Sequence, residues 1–178
     1  MIFGPSPERL GLLGGRFKSR MKEMTAATDV SEMRDNAITA YERGMNLDLN
    51  EFYCSSNLPR LYRARNQDGD ARKADLVLSQ VLVACERSLQ QEASDEWLRP
   101  TLLGAAFDER DIEKAEALAD GVTKIGAVPY KLETLIDDLT MSAGQVADPA
   151  LRPRFDAIVA RLRASQETST TPAKLATV

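Results

Sequence analysis

The sequence predicts an all-α chain of about eight helices, arranged as antiparallel pairs that stack on one another. Three observations predict it. Apolar residues recur at three- and four-residue spacing almost throughout. No stretch alternates apolar and polar as a half-buried strand does. Short turns marked by Gly, Pro, Asn or Asp separate segments of helical size. A length of 178 residues suits one domain that buries its own core.

The first helix is expected over Pro7 to Met24, with Leu10, Leu13, Phe17, Met21 and Met24 on one packing stripe. Gly14 and Gly15 weaken it locally but permit close helix approach. A second helix is expected over Ser31 to Asn46, ending before Leu47-Asp48-Leu49-Asn50. A third starts near Ser55 or Ser56, with Pro59 in its first turn, where the missing N–H costs little. Asn66-Gln67-Asp68-Gly69-Asp70 is a turn. Helices follow over Ala71 to Gln91, from a Ser94 or Asp95 cap through Trp97 to Phe107, over Ile112 to Ile125, and from Pro129 to Ala143. Asp148 with Pro149 opens the last, which fades near Ser165. Gln166 to Val178 holds little apolar content and is expected to be a disordered tail, leaving residues 1–165 as the folded domain.

Composition narrows the function classes. The net charge of −4 argues against a general nucleic-acid binder, so any anion site has to be local. No histidine occurs, which removes the commonest general base and the usual zinc ligands. Cys54 and Cys85 have neither the number nor the spacing of a disulfide framework or zinc site; they read as small buried side chains in a reducing, cytoplasmic setting. No apolar run approaches the roughly 18 residues that span a bilayer. No catalytic residue, metal or cofactor is expected.

Within this frame the segment Ser56 to Arg65 is unusual, because it holds three arginines and no acid. On a helix Asn57, Arg60 and Arg63 occupy one arc while Leu58, Leu61 and Tyr62 take the other side, as does Arg65. Taken alone, the arc reads first as a surface whose arginines pair with acids of neighbouring helices. The alternative is an anionic ligand, for which the guanidinium fork is suited.

Position within a repeat favours the ligand. Gly14 and Phe17, then Ala37, Tyr41 and Gly44, stand where tetratricopeptide repeats place small and aromatic residues. Leu103-Gly104 with Phe107, followed by Lys114-Ala115, renews the pattern. In a right-handed superhelix of such repeats, the first helix of each pair lines the concave groove. There Trp97, Thr101 and Gly104 form a stripe able to stack a ring, and Lys131 shares a face with Thr134 and Asp138. Asn57, Arg60, Arg63, Trp97, Thr101 and Lys131 are thus expected to converge as a polar pocket with a cationic end and an aromatic wall. The run Gly11-Leu12-Leu13-Gly14-Gly15-Arg16-Phe17-Lys18-Ser19 is not a phosphate loop, because the Gly that must precede Lys is absent. Asp137 and Asp138, about 100° apart, suit paired acid–base work poorly.

The segments Leu10 to Lys18, Asn57 to Arg63, Asp95 to Gly104 and Tyr130 to Thr134 resemble the tetratricopeptide-repeat sensor family, also described as the TRAFs-binding domain. The likeness runs from Pro7 to Met141 and is strongest in the middle two segments. It implies a regulatory module that senses a small nucleotide-derived ligand beside effector domains, or a scaffold for protein assembly. It also implies that helices before Leu10 are missing, so that the chain is the C-terminal part of a larger domain or a naturally short version. The expected function is a non-catalytic sensor binding an anionic, nucleotide-like molecule in its groove, with an effector or partner protein and no membrane or nucleic acid. The alternative is a scaffold whose groove accepts a peptide or partner helix.

Overall fold

A computed structural model describes residues 4–91, 96–124 and 129–170, with side chains over 4–91, 96–122 and 132–167. The described residues form helices and turns with no strand. In chain order these are α1 (Pro7–Glu23), α2 (Ala27–Leu47), α3 (Phe52–Ser55), α4 (Leu58–Arg65), α5 (Asp70–Gln90), α6 (Leu98–Glu109), α7 (Ile112–Lys124), α8 (Pro129–Gly144) and α9 (Arg152–Thr170). Consecutive long helices pack as the pairs α1/α2, α4/α5, α6/α7 and α8/α9, the arrangement of a tetratricopeptide-like helical repeat. The leading helices begin at Pro7, Leu58, Leu98 and Pro129, so only the last interval approaches the repeat period of about 34 residues. Long α2 and α5 helices and the inserted α3 stretch the earlier ones.

Local chemistry accounts for the boundaries. The Ser6 hydroxyl accepts the Arg9 amide at 3.3 Å and starts α1, with Pro7 in the first turn. The short α3, absent from the periodicity reading, is nucleated by the Glu51 carboxylate, which accepts the amides of Tyr53 (2.7 Å) and Cys54 (3.2 Å). Asn66 ends α4 in the left-handed conformation that Asn tolerates (φ 56°). Helix α9 corrects the expected tail: it continues to Thr170, while 171–178 lie outside the described residues, as do the proposed caps Ser94 and Asp95.

Close approach at glycine holds the first pair together. A Cβ on Gly14 would sit 2.6 Å from Tyr41 Cζ, and one on Gly44 would overlap the Cys54 sulfur. Gly11 likewise leaves no room against the Tyr53 ring. Gly11 and Gly14 of the P-loop-like run are therefore packing contacts. One packing expectation fails: Leu13 is 40% exposed and Leu12 56%, because this edge of α1 faces the groove instead of α2.

Two apolar cores result. One gathers Ile38, Tyr41, Leu58, Leu61, Val81 and Leu98; the other gathers Leu103, Phe107, Ile112, Leu139, Phe155 and Leu162. Helix α6 contributes to both. The second core is centred on Phe107 and Phe155, edge to face at 4.7 Å. Cys54 and Cys85 are buried free thiols, and burial followed by the Glu51 charge pushes the Cys54 thiol up to about 12. Cys54 should thus resist iodoacetamide in the native protein and react once urea unfolds it, as a count of alkylated thiols would show. Among the described residues no helix is long and apolar enough to cross a membrane.

Candidate functional site: a groove floored by an ion network

A groove of about 940 Å³ runs between α1 on one side and α4, α6 and α8 on the other. This is the size of a small-molecule site. Its floor is where α4 meets the second core. Arg60, buried on α4, extends over Gly104, where an added Cβ would lie only 3.0 Å from the guanidinium. It then pairs with Asp108 of α6 (NH2 to Oδ2, 3.1 Å) and Asp138 of α8 (NH1 to Oδ2, 3.0 Å). Ser142 donates its hydroxyl to the other Asp108 oxygen at 2.7 Å. Gln145 donates to the Arg60 carbonyl at 2.9 Å.

Helix α1 closes the network from the opposite wall. The Lys18 ammonium pairs with Asp138 and donates to Asn57 Oδ1 at 2.6 Å, while the Asn57 amide donates to the Tyr53 carbonyl at 2.8 Å. Lys22 pairs with Asp137 nearer the rim. Burial alone would raise Asp138, but the Lys18 and Arg60 charges overcome it and hold the carboxyl below its usual range. Burial, helped by Arg60, keeps the Lys18 ammonium below the ordinary lysine value, with Asp138 offsetting only part. Two cations and two carboxylates thus neutralise each other beneath the groove.

The six expected site residues divide accordingly. Asn57, Arg60, Trp97 and Thr101 line the groove. Arg63 does not. Steps of three residues fall short of a helical turn by about 60°, so Arg63 lies about 120° round from Asn57 and leaves the groove. It pairs instead with Asp75 at 2.9 Å and lies 3.8 Å from Asp108. The backbone of Lys131 belongs to α8, and its side chain lies outside the described residues. The ordinary reading of the arginine arc, pairing with acids of neighbouring helices, is what the fold adopts for Arg60 and Arg63. Arg65 clamps Asp70 through two bonds (2.9 and 2.6 Å), tying the 66–69 turn to α5, and lies 3.5 Å from Asp35. Gly104 is a correction too: Arg60 fills the space proposed for a ring.

Sequence reasoning missed the cations that do face the groove. Arg16 and Arg20, one helical turn apart on α1, line it and are exposed, and no acid pairs with them among the described residues. The signal was present: Arg16, Lys18, Arg20 and Lys22 lie between Glu8 and Glu23 with no acid among them, an acid-free basic run like that of α4. Across the groove Tyr53 and Trp97 lie with ring centroids 6.1 Å apart, tilted by 46°, beside the half-buried Thr101. Trp97 also packs partly on the first core, which sets its position. An exposed cationic rim, an aromatic wall and a neutral floor suit a molecule with both a ring and negative charge. Among the described residues no cluster of acids and cysteines is arranged to hold a metal ion.

A family model described as Tetratricopeptide Repeats-Sensor matches residues 3–62. The matched part runs from α1 through the Arg60 turn of α4, about a third of the chain, and contains one of the four sequence segments that carry the resemblance whole and a second but for Arg63. No curated protein and no solved structure matches. Such a family points to a sensor or protein-interaction module, and the helical-repeat architecture is generally non-enzymatic. Over this amino-terminal third, the chain is similar to the tetratricopeptide-repeat sensor family.

Proposed function

We propose that this protein is a non-catalytic sensor whose groove binds an anionic, nucleotide-derived small molecule. The observation that carries the reading is the facing of Arg16 and Arg20 on α1 against Tyr53, Trp97 and Thr101 in one groove. The charge is taken up by Arg16 and Arg20, the ring stacks at the Trp97 wall, and Thr101 and Ser56 orient it. Asn57 and Arg60 act from beneath, by holding the wall, and Arg63 has no part in the groove.

Thermal-shift measurements with nucleotides and their cyclic and ADP-ribosyl derivatives test this. A ligand at a hundred times its Kd is expected to stabilise the wild type by about 2.7 kcal/mol. Arg16→Ala/Arg20→Ala should fold normally, since both side chains are exposed, and lose that response. An unchanged response in the double variant, or none from any nucleotide in the wild type, would sink the reading.

One observation favours a second reading, a scaffold for a peptide or partner helix. Leu12 and Leu13 present apolar surface along the groove beside the arginines, as a peptide groove would. A partner peptide protecting α1 amides from hydrogen exchange, with no nucleotide response, would select it.

A further inference from the structure

A second cavity, of about 470 Å³, shares no lining residue with the groove and opens between α4, α5 and the end of α6. Its acids are already engaged. Asp108 is taken by Arg60 and Ser142, and Glu109 pairs with Lys114 at 2.9 Å. Exposed Asp75 holds only the NH2 of Arg63. The cations are less satisfied. Arg63 Nη1 is buried without a hydrogen-bond partner, its nearest acid being the Asp108 carboxylate at 3.8 Å. Half-buried Arg110 pairs with no acid among the described residues, and its NH1 donates to the neutral Phe107 carbonyl at 2.8 Å.

Two further features set Arg110 apart. Burial, and then the nearby Arg63 charge, hold its guanidinium below the usual value, with Asp108 opposing. Its backbone occupies the left-handed region (φ 65°) at the end of α6, a position for which Gly or Asn is the ordinary choice. A long cation thus occupies a place that disfavours it, beside a second cation. An oxoanion would relieve both costs by accepting from the two forks.

We propose that Arg63 and Arg110 form a second anion site, for the phosphate or carboxylate group of a small molecule whose apolar part lies on Leu78 and Leu82. Ser79, on the same wall, adds a hydroxyl. The site shares no lining residue with the groove, although Asp108 connects Arg63 to the groove-floor Arg60. Its ligand therefore need not be the sensed one.

The test uses the full chain carrying Arg16→Ala/Arg20→Ala, so that the groove rim contributes no anion binding. Backbone and arginine Nε resonances are followed by NMR during titration with inorganic phosphate and, separately, with acetate. A saturable shift at Arg63, Ser79 and Arg110 is expected for at least one anion; the arm that responds identifies the group recognised. Adding Arg110→Gly should weaken binding at least about tenfold, the effect of losing a charge-assisted hydrogen bond. Because glycine suits the left-handed position, this variant should melt no lower than its parent. If it does melt lower, Arg63→Lys, which keeps the charge and loses the fork, should show the same weakening. Absence of a saturable shift with both anions, or undiminished binding in the variants, overturns the proposal.

Discussion

Replacing Arg60 by alanine is expected to destabilise the fold by about 3–5 kcal/mol, because it strands charge in a buried site without its main partner. Asp108 would keep only the Ser142 hydroxyl and the distant Arg63, and Asp138 would keep Lys18. Urea denaturation measures the loss, and its pH dependence separates stranded charge from lost packing. In the wild type Asp138 titrates below its unfolded value, so its contribution is present above about pH 4 and declines as pH falls through the folded pKa. In Arg60→Ala, the Asp138 carboxylate, held in a dry site without that guanidinium, is protonated more easily, and protonation relieves the penalty. The gap between variant and wild type should therefore narrow on acidification from neutral pH towards about pH 4. A gap constant with pH would mean that packing, not charge, carries the effect. The same variant distinguishes two roles for Arg60: as floor of the groove it governs stability, whereas a ligand contact would alter binding at unchanged stability.

Gly14→Ala is expected to cost about 1–3 kcal/mol or more, against the intrinsic preference of helices for alanine. That preference favours the change by about 1 kcal/mol in a helix interior. Here it is outweighed. The added Cβ would lie 2.6, 2.7 and 2.8 Å from three atoms of the Tyr41 ring, which is buried in the first core and cannot swing aside. Relief requires α1 to move away from α2, and α1 carries the groove wall and the lysine ends of the Lys18–Asp138 and Lys22–Asp137 contacts to α8. A lower urea midpoint with unchanged slope is the expected result. Gly15→Ala, next to it on α1 with no atom nearer than 3.8 Å to its Cβ, is the matched control and should leave the midpoint in place or raise it.

Much of the architecture was legible because helix pairing is written in local periodicity. The apolar spacing located each long helix to within a few residues, and Gly14, Tyr41 and Gly44 announced the tight pair that α1 and α2 form. The four-residue α3 escaped because a single turn has no period, and its start depends on one side-chain cap from Glu51. Leu13 was assigned to the core because a helical stripe specifies a face without saying whether a neighbour covers it. Among the residues expected to converge, Trp97, Thr101, Asn57 and Arg60 line the groove, at or near the starts of leading helices.

What remained hidden was the charge bookkeeping, which is a property of contacts between distant segments. The α4 run looked uncompensated because its acids lie elsewhere: Asp108 is 48 residues from Arg60, and Asp138 is 120 from Lys18.

By itself, then, the sequence determined the all-helical class and the pairing of helices, since each follows from spacing along a helix. Only the tertiary structure decided which cations are spent and which are offered. Arg60 and Lys18 are neutralised beneath the groove, Arg63 is turned away from it, and Arg16 and Arg20 are left at its rim. The reason is physical: burying a charge without a partner costs more than any local preference can supply, so folding selects the pairs that stacking brings together.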